Sequence, residues 1–387
     1  MNILPQNRRT LSFSRSLYSA CLLLLLVFGA VVAQEGRLIR ETVHGKSLEQ
    51  NVTGDSADRK VSIYLPPSYD KSPERRYPVL YLLHGIGDTD GEFTVAWKNQ
   101  DPAWGTVQAL MNQGIADGKL REMIVVVPDQ RTKMMGSFYT NSSATGNWED
   151  FTTRDLVQYV DHKFRTLNRP ESRGLAGHSM GGYGAIKIGM RHPDVFSVIY
   201  AMNPALLGWA ADVSIENPAF ALLASAKTTE DLFNGGMYAV GGMCVAQAFS
   251  PNPERPPFFA DLPFKLVDGK LQPLEPAYSK WSANMPLNMA DDNKQNLMKL
   301  RGLRFDTGWY DEFTHIPITA RAFARKLDEF GVKFGFEEYN GDHRNRMWGR
   351  EGRLYTEVLP YFSAMLETEI KTRPATAILR EATAGVR

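Results

Sequence analysis

The sequence predicts an α/β fold with a mainly parallel central sheet flanked by helices. Two observations carry this. Short, nearly continuous apolar runs recur at residues 77–83, 123–127 and 195–202. Such runs suit strands buried on both faces, as parallel strands are. Between them lie segments with apolar residues at helical spacing, such as Val107, Leu110, Met111 and Ile115. Strands and helices alternating in this way build a sheet covered on both sides. The 387 residues, 43% hydrophobic and 22% charged, are enough to bury a sizeable core.

The first 33 residues read as an export signal. Arg8, Arg9 and Arg15 make a positive start, the following stretch to Val32 is mostly apolar, and Val31-Val32-Ala33 is a small-residue cleavage site. The alternative is an uncleaved membrane anchor. An apolar run of about 16 residues falls short of the roughly 20 that a spanning helix needs. The expectation is a secreted or periplasmic protein, cleaved near Ala33 and without a stable membrane anchor afterwards. Of the two cysteines, Cys21 would leave with the signal, and Cys244 alone can form no internal disulfide. With a net charge of +1 there is no basic footprint for nucleic acid, and no nucleic-acid partner is expected.

Each element follows from local pattern. Residues 60–65 alternate as a strand with one wet face, and Pro66-Pro67 ends it. The buried run 77–83 leads into the loop His84-Gly85-Ile86-Gly87. The run 123–127 stops at Pro128, and Phe151, Leu156, Val160 and Phe164 mark a helix. A short strand at 173–176 and a helix over 182–190 bracket Gly177-His178-Ser179-Met180-Gly181. Beyond Asn203 the rhythm breaks. Prolines at 251, 253, 256, 257 and 263 crowd this stretch, yet Trp209, Phe220, Phe233, Phe258, Phe259 and Trp281 are too apolar for a linker. It reads as a cap of short helices and loops. The pattern resumes with a helix closed by Leu297 and Leu300, Gly302 as its C-cap, a short strand at 303–305 and Asp306 at its end. Ala320, Phe323, Ala324 and Leu327 mark a further helix, 332–339 a strand, and Leu354, Val358, Phe362 and Met365 the last helix. The predicted organisation is a signal at 1–33, a core at 34–203 and 298–370, a cap at 204–297 and a loose tail at 371–387.

Gly177 to Gly181 fits G-x-S-x-G. A tight strand-to-helix turn lifts the serine oxygen out of the sheet, and glycines on both sides prevent Cβ clashes. A serine hydroxyl needs a base, and the base needs a carboxylate to hold its tautomer. In an α/β-hydrolase arrangement the order is Ser, acid, His, each on a loop after a strand. His343 follows the strand that ends at Tyr339, whereas His315 opens a helix. Asp306 and Asp311 both follow an earlier strand, with Glu312 a weaker candidate. The oxyanion hole takes the N–H of the residue after the nucleophile, Met180, and one from the loop at 84–87. Ile86 is the choice there, with Gly85 and Gly87 as alternatives.

Val61 to Leu65 with Pro66-Pro67-Ser68-Tyr69, then 77–85, then Gly177 to Gly182, resembles the esterase D group of α/β hydrolases. That group includes feruloyl and acetyl-xylan esterases, S-formylglutathione hydrolases and mycolyltransferases. The resemblance covers most of residues 36–367 outside the insertion. Gly308-x-x-Asp311, and Gly341-x-His343 with Trp348 behind it, match the group's acid and base positions, so the resemblance favours Asp311 as the acid. Asp342 departs from the group, which often has Gly before the base, and the insertion is longer than in compact feruloyl esterases. Gly85, His178 and Trp348 are the candidate substrate contacts.

The resemblance implies a serine ester hydrolase with no metal or organic cofactor. Export favours small-molecule or polysaccharide-linked esters, such as feruloyl or acetyl groups, over a cytosolic S-formylglutathione role. The alternatives are a mycolyltransferase-like acyltransferase acting on a sugar hydroxyl, and a binding protein on a hydrolase scaffold.

Overall fold

The computed structural model describes residues 35–368, so the predicted signal and the predicted tail lie outside the described residues. The first two strands build one edge of a sheet. β1 (Arg37–His44) pairs antiparallel with β2 (Asp58–Leu65), Arg37 opposite Leu65 and His44 opposite Asp58. β3 (Val79–Leu83) and β4 (Ile124–Pro128) follow, every residue buried. A small ladder joins β5 (Asn141–Ser142) to β6 (Gly146–Asn147). β7 (Arg173–His178) and β8 (Val198–Met202) continue the main sheet, β9 (Phe264–Val267) and β10 (Lys270–Pro273) form a separate hairpin, and β11 (Gly302–Gly308) and β12 (Gly335–Tyr339) complete the main sheet. Its order is β1-β2-β4-β3-β7-β8-β11-β12. From β4 to β12 every pairing is parallel, while β2 runs antiparallel to β4.

The apolar runs divide between the two faces of this sheet with period two. Val79, Tyr81 and Leu83 join one buried cluster, and Leu80 and Leu82 the other. Helices cover both. On one side lie α1 (Val107–Ala116), through Val107, Leu110 and Met111, and the closing helical run 354–365. On the other lie α2 (residues 148–163, with a widened π-type turn at Phe151–Asp155), α3 (Met180–Arg191) and the helix His315–Glu329. Fully burying each such side chain contributes about 1.5–3 kcal/mol. Among the described residues no helix is long and apolar enough to cross a membrane.

The stretch beyond Asn203 folds as helices Ala219–Ser225, Thr229–Asn234 and Gly236–Phe249, the β9–β10 hairpin, and helices Ala277–Ala283, Pro286–Asp292 and Lys294–Lys299. It has no core of its own. Phe220, Leu223, Met243, Phe249, Phe264 and Trp281 belong to the same buried cluster as Leu175 and Ile199 of the sheet. Trp209 stacks between Tyr278 at 5.1 Å and Trp281 at 5.8 Å.

Two expectations are corrected here. Gly302 is not a C-cap. The preceding helix ends at Lys299, Leu300 is extended, and Gly302 opens β11, where a Cβ would fall 2.3 Å from the Tyr361 hydroxyl. Asp306 lies within β11, not at its end, and is fully buried. Its Oδ2 accepts hydrogen bonds from Arg353 Nε and Tyr200 OH, both at 2.8 Å, and Arg353 also reaches Glu337. Asp306 is thus spent on a buried ion pair. Removing one partner of such a pair leaves the other charge uncompensated. Asp306→Ala should therefore lower the unfolding free energy by about 3–5 kcal/mol in urea titration. A loss indistinguishable from zero would contradict this role.

Candidate active site

Five loops meet beyond the carboxyl ends of β3, β7, β8, β11 and β12, where open parallel sheets place their ligands. Ser179 sits between β7 and α3 with φ 58° and ψ −115°, a backbone state that costs energy in any non-glycine residue. Its neighbours show why the turn needs glycine. A Cβ on Gly177 would lie 2.2 Å from the Gly181 carbonyl oxygen, and one on Gly181 would lie 2.1 Å from that of Leu83. The turn is pressed against β3, and only residues without side chains allow it.

The structure brings Asp311 and His343 together. His343 Nδ1 lies 2.7 Å from Asp311 Oδ2, and Asp311 Oδ1 accepts the Phe313 N–H at 2.9 Å. Both side chains are buried. Burial pushes the His343 imidazole well below its ordinary value, and the charge of His178 adds to this. Burial lifts the Asp311 carboxyl to about 7 against the Phe313 N–H.

The backbone around His343 is held by residues that sequence reasoning passed over. Asn203, which had marked only the edge of the insertion, donates to the His343 carbonyl at 3.0 Å and to Tyr339 OH at 2.8 Å, and accepts from Gly308 N at 2.8 Å. Glu92 is fully buried. It accepts the Gly85 N–H at 2.6 Å and faces His178 Nδ1 at 3.0 Å. His178 Nε2 in turn donates to the His343 carbonyl at 2.8 Å. Glu92 carried no signal in sequence because it lies in a polar turn and acquires meaning only opposite His178. Glu312 accepts the His343 N–H at 3.3 Å.

The loop at 84–87 is braced in the same way. The His84 carbonyl accepts from Tyr139 OH at 2.7 Å, and its ring bridges Gly85 O and Gln130 N. Gly87 N–H goes to Met135 O. Among the described residues the N–H groups of Ile86 and Met180 have no protein acceptor. Ile86, Met180 and Ser179 line one pocket of about 620 Å³, including its open mouth. Its wall is almost wholly apolar and includes Phe138, Leu206, Phe220, Val245 and Trp281. The predicted substrate contacts fare differently. Gly85 lies close to Ser179, since a Cβ there would fall 3.5 Å from the Ser179 Cβ. His178 is consumed by Glu92 and His343. Trp348 packs against Phe93 among the side chains on the far face of the sheet and lines no part of the pocket.

A model of the Esterase family matches residues 56–351. The chain belongs to the Esterase family. Among curated relatives, Esterase Rv1288 of Mycobacterium tuberculosis is 35% identical over 136 residues, which are 34% of this chain and 26% of that protein. The endo-1,4-beta-xylanase/feruloyl esterase of Xylanibacter ruminicola is 32% identical over 138 residues, 35% of this chain and 18% of that protein. The chain thus spans about a quarter or less of the length of these relatives. Among solved structures, a ferulic acid esterase superposes with a TM-score of 0.57 at 21% identity, covering 86% of this chain and 99% of the other. An S-formylglutathione hydrolase from Staphylococcus aureus gives 0.51 at 16% identity, covering 86% and 100%. At these identities the superpositions show the α/β-hydrolase fold.

The His178–Glu92 contact generates a prediction. Both His178 nitrogens face acceptors, a carboxylate and a carbonyl, which a doubly protonated ring satisfies. Burial raises the Glu92 carboxyl, but the hydrogen bond and charge of His178 outweigh it and hold Glu92 below its ordinary value. The charge of His178 depresses His343, whereas that of Glu92 raises it. His178→Gln removes the depressing charge, so His343 holds its proton to higher pH and the acid limb of kcat/KM against pH should move upward. A limb that stays in place or moves down would contradict this.

Proposed function

We propose that the protein is a serine carboxylic-ester hydrolase. Ser179 attacks the ester carbonyl, and His343 takes the serine proton and returns it to the leaving alcohol. Asp311 holds the His343 tautomer, and the N–H groups of Ile86 and Met180 receive the oxyanion. Water then releases the acyl group by the same route. The observation that carries this reading is the 2.7 Å His343–Asp311 contact, whose histidine backbone is tied through His178 to the strained turn of Ser179.

The pocket bears on the substrate. A sugar in an almost wholly apolar wall would leave its hydroxyls unpaired, so the pocket suits the acyl part of the ester. Acetyl would leave most of the apolar surface uncovered, so a larger acyl group such as an aromatic one fits better. That preference agrees with the feruloyl esterase named among the relatives. The positive and apolar first 33 residues support export, with polysaccharide-linked esters as the substrates met outside the cell. Residues 204–297 act in this reading as the cap that supplies most of the acyl wall.

A fluorophosphonate probe should label Ser179, and Ser179→Ala should abolish both labelling and turnover, a fall of roughly 10⁶ in kcat. Asp311→Asn should cost about 10⁴ in kcat through the wrong tautomer, with a melting temperature near that of the unaltered protein. Full turnover in Ser179→Ala would sink the proposal.

A further inference from the structure

One buried carboxylate reaches, directly or through a single histidine, each of the three loops that the ester chemistry needs. The side chain of Glu92 has no exposed surface, and its two oxygens have different partners. Oε2 accepts the Gly85 N–H at 2.6 Å, and Oε1 faces His178 Nδ1 at 3.0 Å. His178 immediately precedes Ser179, and its Nε2 donates to the His343 carbonyl at 2.8 Å. The carboxylate comes from a short helical turn, Asp90–Phe93, that is anchored on both sides. Asp90 accepts from Ser62 Oγ at 2.7 Å and pairs with Arg40 of β1. Phe93 is fully buried against Trp348, so Trp348 serves this turn rather than a substrate.

The contact at Gly85 matters because of where the next N–H points. Gly85 has no Cβ, so both of its backbone torsions are free unless the flanking peptides are held. Its carbonyl is engaged by the His84 ring at 2.7 Å and by the Asp88 N–H at 3.3 Å. The peptide that follows is trans and planar, so the Ile86 N–H points opposite to that carbonyl. Glu92 holds the peptide on the other side of Gly85. With both peptides held, the Ile86 N–H has one direction left. An ion pair that served stability alone needs only the His178 contact, and the second oxygen on Gly85 is what joins it to the oxyanion loop.

We propose that Glu92 is a positioning residue, which aims the Ile86 N–H at the oxyanion and, through His178, sets the backbone of His343 against the Ser179 turn. This rests on the ester-hydrolase reading. Reach and hydrogen bonds carry the role, not charge. Glutamine has the same reach. Its oxygen accepts from Gly85 while its amide donates to Nδ1 of a neutral His178, whose Nε2–H keeps the His343 carbonyl. Aspartate keeps the charge but is one methylene shorter and cannot meet both partners. Contact therefore ranks Gln above Asp at this position, and a role carried by charge ranks Asp above Gln. A role in stability alone moves the melting temperature without moving kcat per active site.

The test measures kcat and KM for methyl phenylpropanoate on the plateau of the pH profile, per active site labelled to completion by the fluorophosphonate probe. Methoxide leaves slowly, so KM reads binding. A misaimed oxyanion donor costs about 10²–10³ in kcat. Glu92→Asp should therefore lose about 10²-fold in kcat with KM within about threefold of the unaltered value, while Glu92→Gln stays within about tenfold in kcat. Glu92→Asp as active as the unaltered protein overturns the proposal, as does Glu92→Gln less active than Glu92→Asp, or a loss in Glu92→Asp confined to KM. If Glu92→Asp does not fold, Glu92→Leu, which conserves bulk and removes the acceptor, takes its place with the same expected loss and the same overturning results. If the unaltered protein is neither labelled nor turns the ester over, the ester-hydrolase reading fails separately. Positioning is then read from amide hydrogen exchange across 84–87 and 340–346, which should be faster in Glu92→Asp than in Glu92→Gln. Equal exchange in the two variants overturns the inference.

Discussion

The approach of the Ser179 turn to β3 and β7 is the constraint on which the site depends. The turn is so tight that a single methyl group at Gly177 or Gly181 would overlap backbone atoms about 2 Å away. That closeness has three consequences. It holds Ser179 at positive φ, so its side chain stands at the end of the sheet. It brings the start of α3, with the free Met180 N–H, beside the loop after β3 with the free Ile86 N–H. It also carries His178 inward, where it can reach Glu92 on one side and the His343 carbonyl on the other.

Desolvation governs the chemistry of what is assembled there. His343, Asp311, Glu92 and His178 are all buried, and each charge among them is tolerable only with a partner at hydrogen-bond distance. The arrangement therefore leaves few free states. Burial drives His343 toward its neutral form, and its carbonyl is pinned by Asn203 and His178 together. The backbone of His343 and that of the loop at 84–87 are tied to one another through Glu92 and His178.

The loop from Asp311 to His315 bears two histidine contacts of similar form with different surroundings. Asp311 meets a histidine from another loop next to the serine turn, while His315 meets an aspartate from the insertion across an apolar wall. The first pair shares one short contact, and the second leaves one buried ring nitrogen without a partner. The insertion contributes the aspartate of the second pair and most of the wall around it, and it shares its buried cluster with the sheet.

The fold was legible in sequence because it rests on local rules. Short apolar runs bounded by turn residues suit strands buried on both faces, helical spacing suits the helices that cover them, and G-x-S-x-G between a strand and a helix has a steric reason written into its own glycines. The residues themselves left Asp306 and Asp311 open. The resemblance favoured Asp311, and tertiary structure shows the reason Asp306 is unavailable: Arg353, from nearly fifty positions away, holds it within β11. Glu92 and Asn203 were invisible for the same physical cause. Each is an ordinary polar residue in a turn or at an element's end, and it gains a function only from burial opposite a partner distant in the chain. The sequence by itself determined the sheet and the glycine-flanked serine turn between a strand and a helix. Tertiary structure alone decided which polar groups lose their water together, since burial is a property of packing and not of any local run of residues.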